Sequence, residues 1–93
     1  MPGTSSLQVL DLNKNRIDEQ GAKVLGPLLE NLVCLQWLGM GDNSIGDVGA
    51  ADLAPHIAKM SSLQHLSLGG NNIGHRSQLR VSELLVNVHM LTL

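Results

Sequence analysis

Aromatic residues are nearly missing from this sequence, which contains no Phe, no Tyr and a single Trp, Trp37. The core must therefore be built from aliphatic side chains, which supply most of the 43% hydrophobic content of the 93 residues. One cysteine, Cys34, excludes an internal disulfide framework and favours a reducing, cytoplasmic location. No apolar run approaches the ~18 residues of a membrane-spanning helix, so we expect no membrane insertion.

Charged residues are also scarce, at 15% of the chain with a net charge of −2. This balance lacks the basic field that a phosphate backbone requires, so we expect no nucleic-acid partner. The four histidines lack the spacing of a metal site, and no Ser, His and acid set has the order of a catalytic site. No glycine stretch matches a phosphate-binding motif. We therefore expect no enzyme activity, no metal and no cofactor.

What the sequence does contain is a repeat. The segment Leu7–Ile17 recurs as Leu35–Ile45 and Leu63–Ile73, so the motif L-x-x-L-x-L-x-x-N-x-I returns every 28 residues, with Met in place of one Leu. An unbroken period places the next motif at Leu91. The predicted organisation is a disordered or partial N-terminal segment over 1–6 and repeats over 7–34, 35–62 and 63–90, with a truncated fourth repeat from 91.

Each part of the repeat predicts a structural element. Alternating apolar residues such as Leu10 and Leu12 indicate a short strand with one buried face, and one strand per repeat predicts a parallel sheet. After each strand comes an asparagine whose amide can bond the backbone of a tight turn, and we predict a buried ladder of Asn15, Asn43 and Asn71. In the first two repeats acidic residues and then apolar residues at helical spacing follow, which predicts a helix. The third repeat lacks the acidic opening but keeps helical spacing at Val81, Leu84, Leu85 and Val88, so we predict a helix there as well.

These 28-residue coils, in which the strand motif is followed by D/E-x-G-A-x-x-L-A/G, resemble the ribonuclease-inhibitor-like class of leucine-rich repeats. Asp47–Ala54 fits that pattern best, and Glu19–Gly26 fits it nearly as well. Similar coils occur in NOD-like receptors, in the ribonuclease inhibitor and in the activating protein of the Ran GTPase. The resemblance implies an α/β solenoid shaped like a horseshoe, with parallel strands on the concave face and helices on the convex face.

Members of that family bind partners mainly through strand residues that face the groove and through the loops that follow. In this chain the resemblance places on the concave face Val9, Asp11, Asn13, Lys14, Trp37, Asp42, His65 and Ser67. Glycines at 39, 41, 69 and 70 predict a shallow groove beside Trp37. We predict that Trp37 anchors a partner, because tryptophan is enriched at interface hot spots. The alternative is that its ring lies flat over Val9 and His65 and only covers the sheet.

We therefore expect a protein-binding module, part of a larger cytosolic receptor or scaffold, whose protein partner is of unknown identity. The alternatives are a regulator of a small GTPase and a structural spacer without a ligand of its own. Three repeats are near the lower limit of solenoid stability, and neither end has a polar cap, so the isolated chain should be marginally stable or associate end to end. Cys34, at the entry to a strand, is expected to be a buried, inert thiol.

Overall fold

Four short parallel strands stack side by side in the computed structural model, which describes residues 6–93. They are β1 (Val9–Asp11), β2 (Trp37–Gly39), β3 (His65–Ser67) and β4 (Met90–Thr92), and they follow chain order in one sheet. The register pairs each residue of β1 and β2 with the residue 28 positions later, as Leu10 with Leu38 and Leu38 with Leu66. The predicted α/β repeat solenoid is confirmed. The disordered segment predicted over 1–6 lies, except for Ser6, outside the described residues.

One helix connects each pair of neighbouring strands: α1 (Glu19–Glu30), α2 (Gly46–Ile57) and α3 (His75–Leu84). The acidic residues predicted at the helix starts are there. The side chain of Asp18 caps α1 by accepting a hydrogen bond from Gly21 N at 2.9 Å, and Asp47 lies in the first turn of α2. None of the helices in residues 6–93 is long and apolar enough to cross a membrane.

The core lies between the sheet and the helices and is built from one layer of aliphatic side chains per coil. The inward-facing strand residues Leu38 and Leu66 are fully buried, as are Leu35 and Leu63 at the start of their motifs. Leu53 and Ile57 of α2 close the layer from the helix side. Because each coil shares its layer with both neighbours, the core is continuous along the solenoid and apolar burial is the main stabilising term.

The predicted asparagine ladder forms in the second and third coils. Asn43 Nδ2 donates to Leu12 O in the preceding coil and to Met40 O in its own coil, both at 3.0 Å, and its Oδ1 accepts from Ile17 N at 3.0 Å. Asn71 repeats this pattern and is 2% exposed. Asn15 is exposed, so its predicted burial is wrong: no described coil precedes it, and its amide reaches only Asn13 O, at 3.0 Å.

The third coil is shorter than the period of 28 predicts. In the sheet register Leu91 pairs with Leu66, so the fourth motif begins at Val88, which lies 25 residues after Leu63. Val88 is buried, and its N–H donates to Leu85 O at 3.1 Å, as Leu63 N–H donates to Met60 O at 3.2 Å. The predicted start of the fourth repeat at Leu91 is therefore wrong by three residues. Compared with α2, α3 ends one residue early, at Leu84, and five residues instead of seven separate it from the next strand. Leu85 and Val88, which the spacing placed in the third helix, therefore lie beyond its end.

Helices α1 and α2 are joined by a close polar contact. The imidazole of His56 lies over Gly26, where a Cβ would come within 3.0 Å of its ring atoms, and His56 Nδ1 is 3.2 Å from Glu30 Oε1. Both atoms are inaccessible to solvent and lack well-aligned hydrogen bonds, so the contact is an ion pair when His56 is charged. Lys59 Nζ is 3.4 Å from the same Oε1. The contact with His56 is the largest effect on the pKa of Glu30 and holds it below its usual value; burial opposes this, and Lys59 lowers the pKa further.

Cys34 is exposed, so the prediction of a buried thiol is wrong. It lies in the turn between α1 and β2, where Leu32 and Leu35 on either side supply the apolar packing. The same repeat position holds Ser6 and Ser62, two polar residues that indicate a surface position. A lone exposed cysteine in such a turn makes no contribution to the core.

Candidate functional site

The concave face of the sheet carries a row of outward-pointing side chains, one from each strand. The register aligns Val9, Trp37, His65 and Met90 in this row, which we call the concave row. With neighbouring strands about 4.8 Å apart, its four members span roughly 14 Å across the sheet. Val9 and Met90 are more than half exposed, at 60% and 55%, whereas Trp37 and His65 are partly covered. The row is therefore an accessible, mainly apolar strip.

Trp37 is positioned by its neighbours on two sides. Its ring stacks on the His65 imidazole with a centroid distance of 5.6 Å and an interplanar angle of 24°. The far edge of the indole covers Gly39, since a Cβ there would lie only 2.7 Å from Trp37 Cη2. The ring is thus held at the middle of the row by His65 and Gly39, which combines the two interpretations of Trp37: it covers the strand and remains partly accessible. Such a fixed ring loses little entropy on binding.

Side chains from neighbouring residues occupy the space above Gly39 and Gly41, the glycines beside Trp37. Gly41 N donates to Asn13 Oδ1 at 2.6 Å, so the Asn13 amide crosses from the first coil to the second. Asn13 is fixed in turn by Asp11, whose Oδ1 accepts from Asn13 N at 2.9 Å. Gly39 and Gly41 are both buried. The groove floor next to the concave row is therefore made of a bound asparagine amide and the indole.

Lys14 and Asp42 stand at the strand exits, where the backbone adopts an unusual conformation. Lys14, Asp42 and Gly70 occupy the same repeat position and all have left-handed φ angles, of 58°, 54° and 71°. The conformation lets Lys14 N donate to Gly41 O at 3.0 Å and Asp42 N to Gly69 O at 2.8 Å, which links successive coils. The Asp42 carboxylate lies where a Cβ of Gly70 would be. Both charged side chains stay exposed beside the groove.

The structure brings together the residues predicted for the concave face and adds one that the sequence analysis missed. Val9, Asp11, Trp37, His65 and Ser67 lie at outward-facing strand positions, and Asn13, Lys14 and Asp42 follow in the exits of β1 and β2. Met90 joins the row because β4 starts three residues early. The signal was present in the sequence, since Val88, Leu91 and Leu93 already satisfy the spacing V-x-x-L-x-L.

The concave face presents an apolar row with a few separate charged side chains beside it. No cluster of three or more His, Cys, Asp or Glu side chains within the described range 6–93 could hold a metal. The carboxylates of Asp11 and Asp42 and the Lys14 ammonium make no ion pair with one another there. An apolar row with single charges beside it is an arrangement typical of protein interfaces.

Stacked coils of one strand and one helix, joined by asparagine ladders, define the class of parallel-sheet repeat solenoids. Three segments of the chain, residues 5–26, 32–54 and 59–75, match the family model described as Leucine Rich repeat. These segments cover more than half of the sequence. The chain therefore belongs to the leucine-rich repeat family.

A solved structure of leiomodin-1 actin-binding site 2 has the same fold. It superposes with a TM-score of 0.82 at 17% sequence identity, over 95% of this chain and 54% of the leiomodin chain. This chain thus spans about half the length of that structure, and the low identity limits the likeness to the fold. A search of curated proteins gives no match to the sequence.

Proposed function

We propose that this chain is a non-enzymatic protein-binding module whose partner docks on the concave row. The observation that carries the proposal is the Trp37–His65 stack at the centre of the row, flanked by the exposed side chains of Val9 and Met90. A hot spot consists of a rigid aromatic group surrounded by contacts that exclude water. Trp37 is held rigid by its stack on His65 and by its contact with Gly39. Its neighbours in the row supply the surrounding contacts that exclude water.

The helices of the repeats support placing the chain in the ribonuclease-inhibitor-like class. We further propose that it acts as a segment of a cytoplasmic receptor or scaffold. The D/E-x-G-A sequence has a structural role here: a Cβ at Gly49 would lie 3.2 Å from Ala22 Cβ, so the glycine permits close packing of α2 on α1. The similarity to an actin-binding domain makes purified actin the first partner to test. A small-GTPase regulator would instead raise nucleotide hydrolysis by its partner.

The test is quantitative recovery of partners from cell extract with immobilised chain and two variants. Trp37→Ala removes the centre of the concave row, and Val24→Ala removes a 65% exposed apolar side chain from α1 on the convex face. Loss of a hot spot of about 2 kcal/mol weakens binding roughly thirtyfold, and recovery falls by a similar factor when the immobilised chain is kept below its dissociation constant. We expect that loss for Trp37→Ala and none for Val24→Ala. Equal recovery by both variants would disprove docking on the concave row, provided that circular dichroism shows both to be folded.

An exposed apolar groove on the first coil supports the prediction of end-to-end self-association of the isolated chain. On the outer side of the first coil, Leu28 is 57% exposed and lines an apolar groove of about 340 Å³ together with Leu10, Leu25 and Leu32. Exposed apolar grooves of this kind favour association. Size-exclusion chromatography over a range of concentrations tests this, and Leu28→Glu should shift the profile to the monomer. A concentration-independent monomer of the unmodified chain would contradict it.

A further inference from the structure

A second groove lies on the convex face, between α2 and α3, far from the concave row. It has a volume of about 240 Å³. Ala54 and Val81 form its floor and are almost fully buried, while Leu84 on its wall is 49% exposed. Ala51 and Arg80 stand on opposite sides of its opening, and both are exposed. Between α1 and α2, in contrast, the His56 ring occupies the space above Gly26.

The groove originates in a departure from the repeat at Ser77. The equivalent position in the preceding helix is Gly49, whose missing side chain allows α2 to approach Ala22 so closely that a Cβ would be 3.2 Å away. Ser77 has a Cβ, and the residue equivalent to Ala22 on α2 is Ala50. Two Cβ atoms cannot approach as closely as a glycine and a methyl group. Helix α3 is therefore held further from α2 than α2 is from α1.

The opening also lacks the side chain that closes the first helix pair. Between α1 and α2, the His56 ring fills the space above Gly26. The equivalent residues between α2 and α3 are Ala54, which carries a Cβ, and Leu84, which stays half-exposed instead of closing over it. The Glu30 partner of His56 corresponds to Ala58, so no polar contact draws the helices together. The apolar floor is left uncovered.

Arg80 places a positive charge on the α3 side of the groove. Its guanidinium forms no ion pair or hydrogen bond with any residue in the described part of the chain. The other charged residue of the groove, Asp47, lies one helical turn before Ala51, and its Oδ1 accepts from Gly74 N at 2.7 Å. The Asp47 carboxylate is thus hydrogen-bonded at the start of α3, whereas the Arg80 guanidinium has no partner in the described residues and lies beside the apolar floor. An arginine in this position favours a carboxylate, which it can bind through two N–H groups.

We propose that the α2–α3 groove is a docking site for a segment of a partner protein in which one large apolar side chain stands next to an Asp or Glu. The volume favours a single side chain, because sites for small-molecule ligands enclose about 300–1,000 Å³. The apolar side chain would pack on Ala54, Val81 and Leu84, and the acidic side chain would pair with Arg80. This site is separate from the concave row and does not depend on the function proposed for it.

The test uses blocked dipeptides and NMR titration of the isotope-labelled full chain. N-acetyl-Glu-Phe-amide carries both recognised groups, N-acetyl-Gln-Phe-amide lacks the charge, and N-acetyl-Glu-Ala-amide lacks the large side chain. We expect the first to shift the amide resonances of Ala51, Ala54 and Val81 with a millimolar dissociation constant. The Gln peptide should bind about two- to fivefold more weakly, which is the usual range for an exposed charge pair, and the Ala peptide should cause no shift.

Variants of the chain show whether Arg80 is responsible for this difference. In Arg80→Gln the Glu and Gln peptides should bind equally, whereas Arg76→Gln, a matched change on the same helix outside the groove, should preserve the difference. Ala51→Leu should fill the opening and abolish the shifts while the spectrum stays dispersed. Any one of three results would overturn the proposal. These are resonance shifts confined to the concave row, a preference for the Glu peptide that persists in Arg80→Gln, and undiminished peptide binding to Ala51→Leu.

Discussion

Replacement of Asn71 by alanine tests the ladder that holds the coils together. Asn71 is 2% exposed; its Nδ2 donates to Met40 O and to Leu68 O, both at 2.8 Å, and its Oδ1 accepts from Ile45 N at 3.2 Å. Alanine removes these bonds, so that Leu68 O and Ile45 N lose their Asn71 partner in a buried site, whereas Met40 O keeps the bond from Asn43 Nδ2. At about 1 kcal/mol for each bond, the loss in the free energy of unfolding is about 3 kcal/mol. This is a large share of the ~5–15 kcal/mol typical of small domains.

The matched control is Asn15→Ala, because Asn15 has the same repeat position but is exposed and donates only to Asn13 O. It should cost less than about 1 kcal/mol. In urea denaturation followed by circular dichroism, with an m value of about 1.5 kcal/mol/M, the midpoint should fall by about 2 M for Asn71→Ala and by under about 0.7 M for the control. Similar shifts for both variants would refute the argument that burial of the amide determines its contribution.

Three further changes test other contacts. Gly70→Ala should destabilise the chain by about 1–3 kcal/mol more than Gly46→Ala in the same denaturation assay. Both glycines have φ near 70°, but only at Gly70 does a neighbouring side chain occupy the space of the added Cβ. Equal losses would contradict this. His65→Ala should shift the Trp37 emission to longer wavelength and increase acrylamide quenching, because the stacked ring is lost; an unchanged spectrum would exclude the stack. Glu30→Gln should reduce stability at neutral pH and leave it unchanged at acidic pH, as measured by thermal melts across pH.

The sign of the Glu30 effect follows from the direction of its pKa. Because the folded chain holds the pKa of Glu30 below its usual value, the carboxylate contributes stability above that value. The contribution is lost as the pH falls through the lowered pKa. The melting curves of the unmodified chain and of Glu30→Gln should therefore converge in acid. A constant difference at every pH would mean that the ion pairs with His56 and Lys59 contribute nothing.

The repeated motif was sufficient to predict the sheet, because side-chain spacing determines both the strand and the buried face. Leu10, Leu38 and Leu66 recur at a fixed interval and pair in the sheet as that interval requires. The 28-residue interval did not predict the position of the fourth strand correctly. Each coil of a solenoid must fill the layer of the core that it shares with its neighbour. In the third coil the buried side chain of Leu85 takes the place that Ile57 and Met60 together occupy in the second coil. The period is thus a local result of packing and can change between coils.

The sequence predicted which residues form the candidate site but not how their side chains shape its surface. Strand alternation placed Trp37 and His65 on the outer face, yet it could not show that the indole would cover Gly39 or that the Asn13 amide would bind Gly41. Those contacts depend on side-chain conformations across neighbouring coils. Likewise, the opening between α2 and α3 follows from Ser77 only once the close approach of Gly49 to Ala22 is known.

Site-specific photo-crosslinking tests most directly whether a partner docks on the concave row. The photoreactive residue p-benzoylphenylalanine would replace Val9 or Met90 at the two exposed ends of the row and, as a control, Val24 on the convex face, all of which are more than half exposed. We predict that both concave positions crosslink to the same partner protein, that the crosslinks disappear with Trp37→Ala, and that Val24 gives none. Crosslinking from Val24 alone, or from the concave positions irrespective of Trp37→Ala, would contradict the proposed interface.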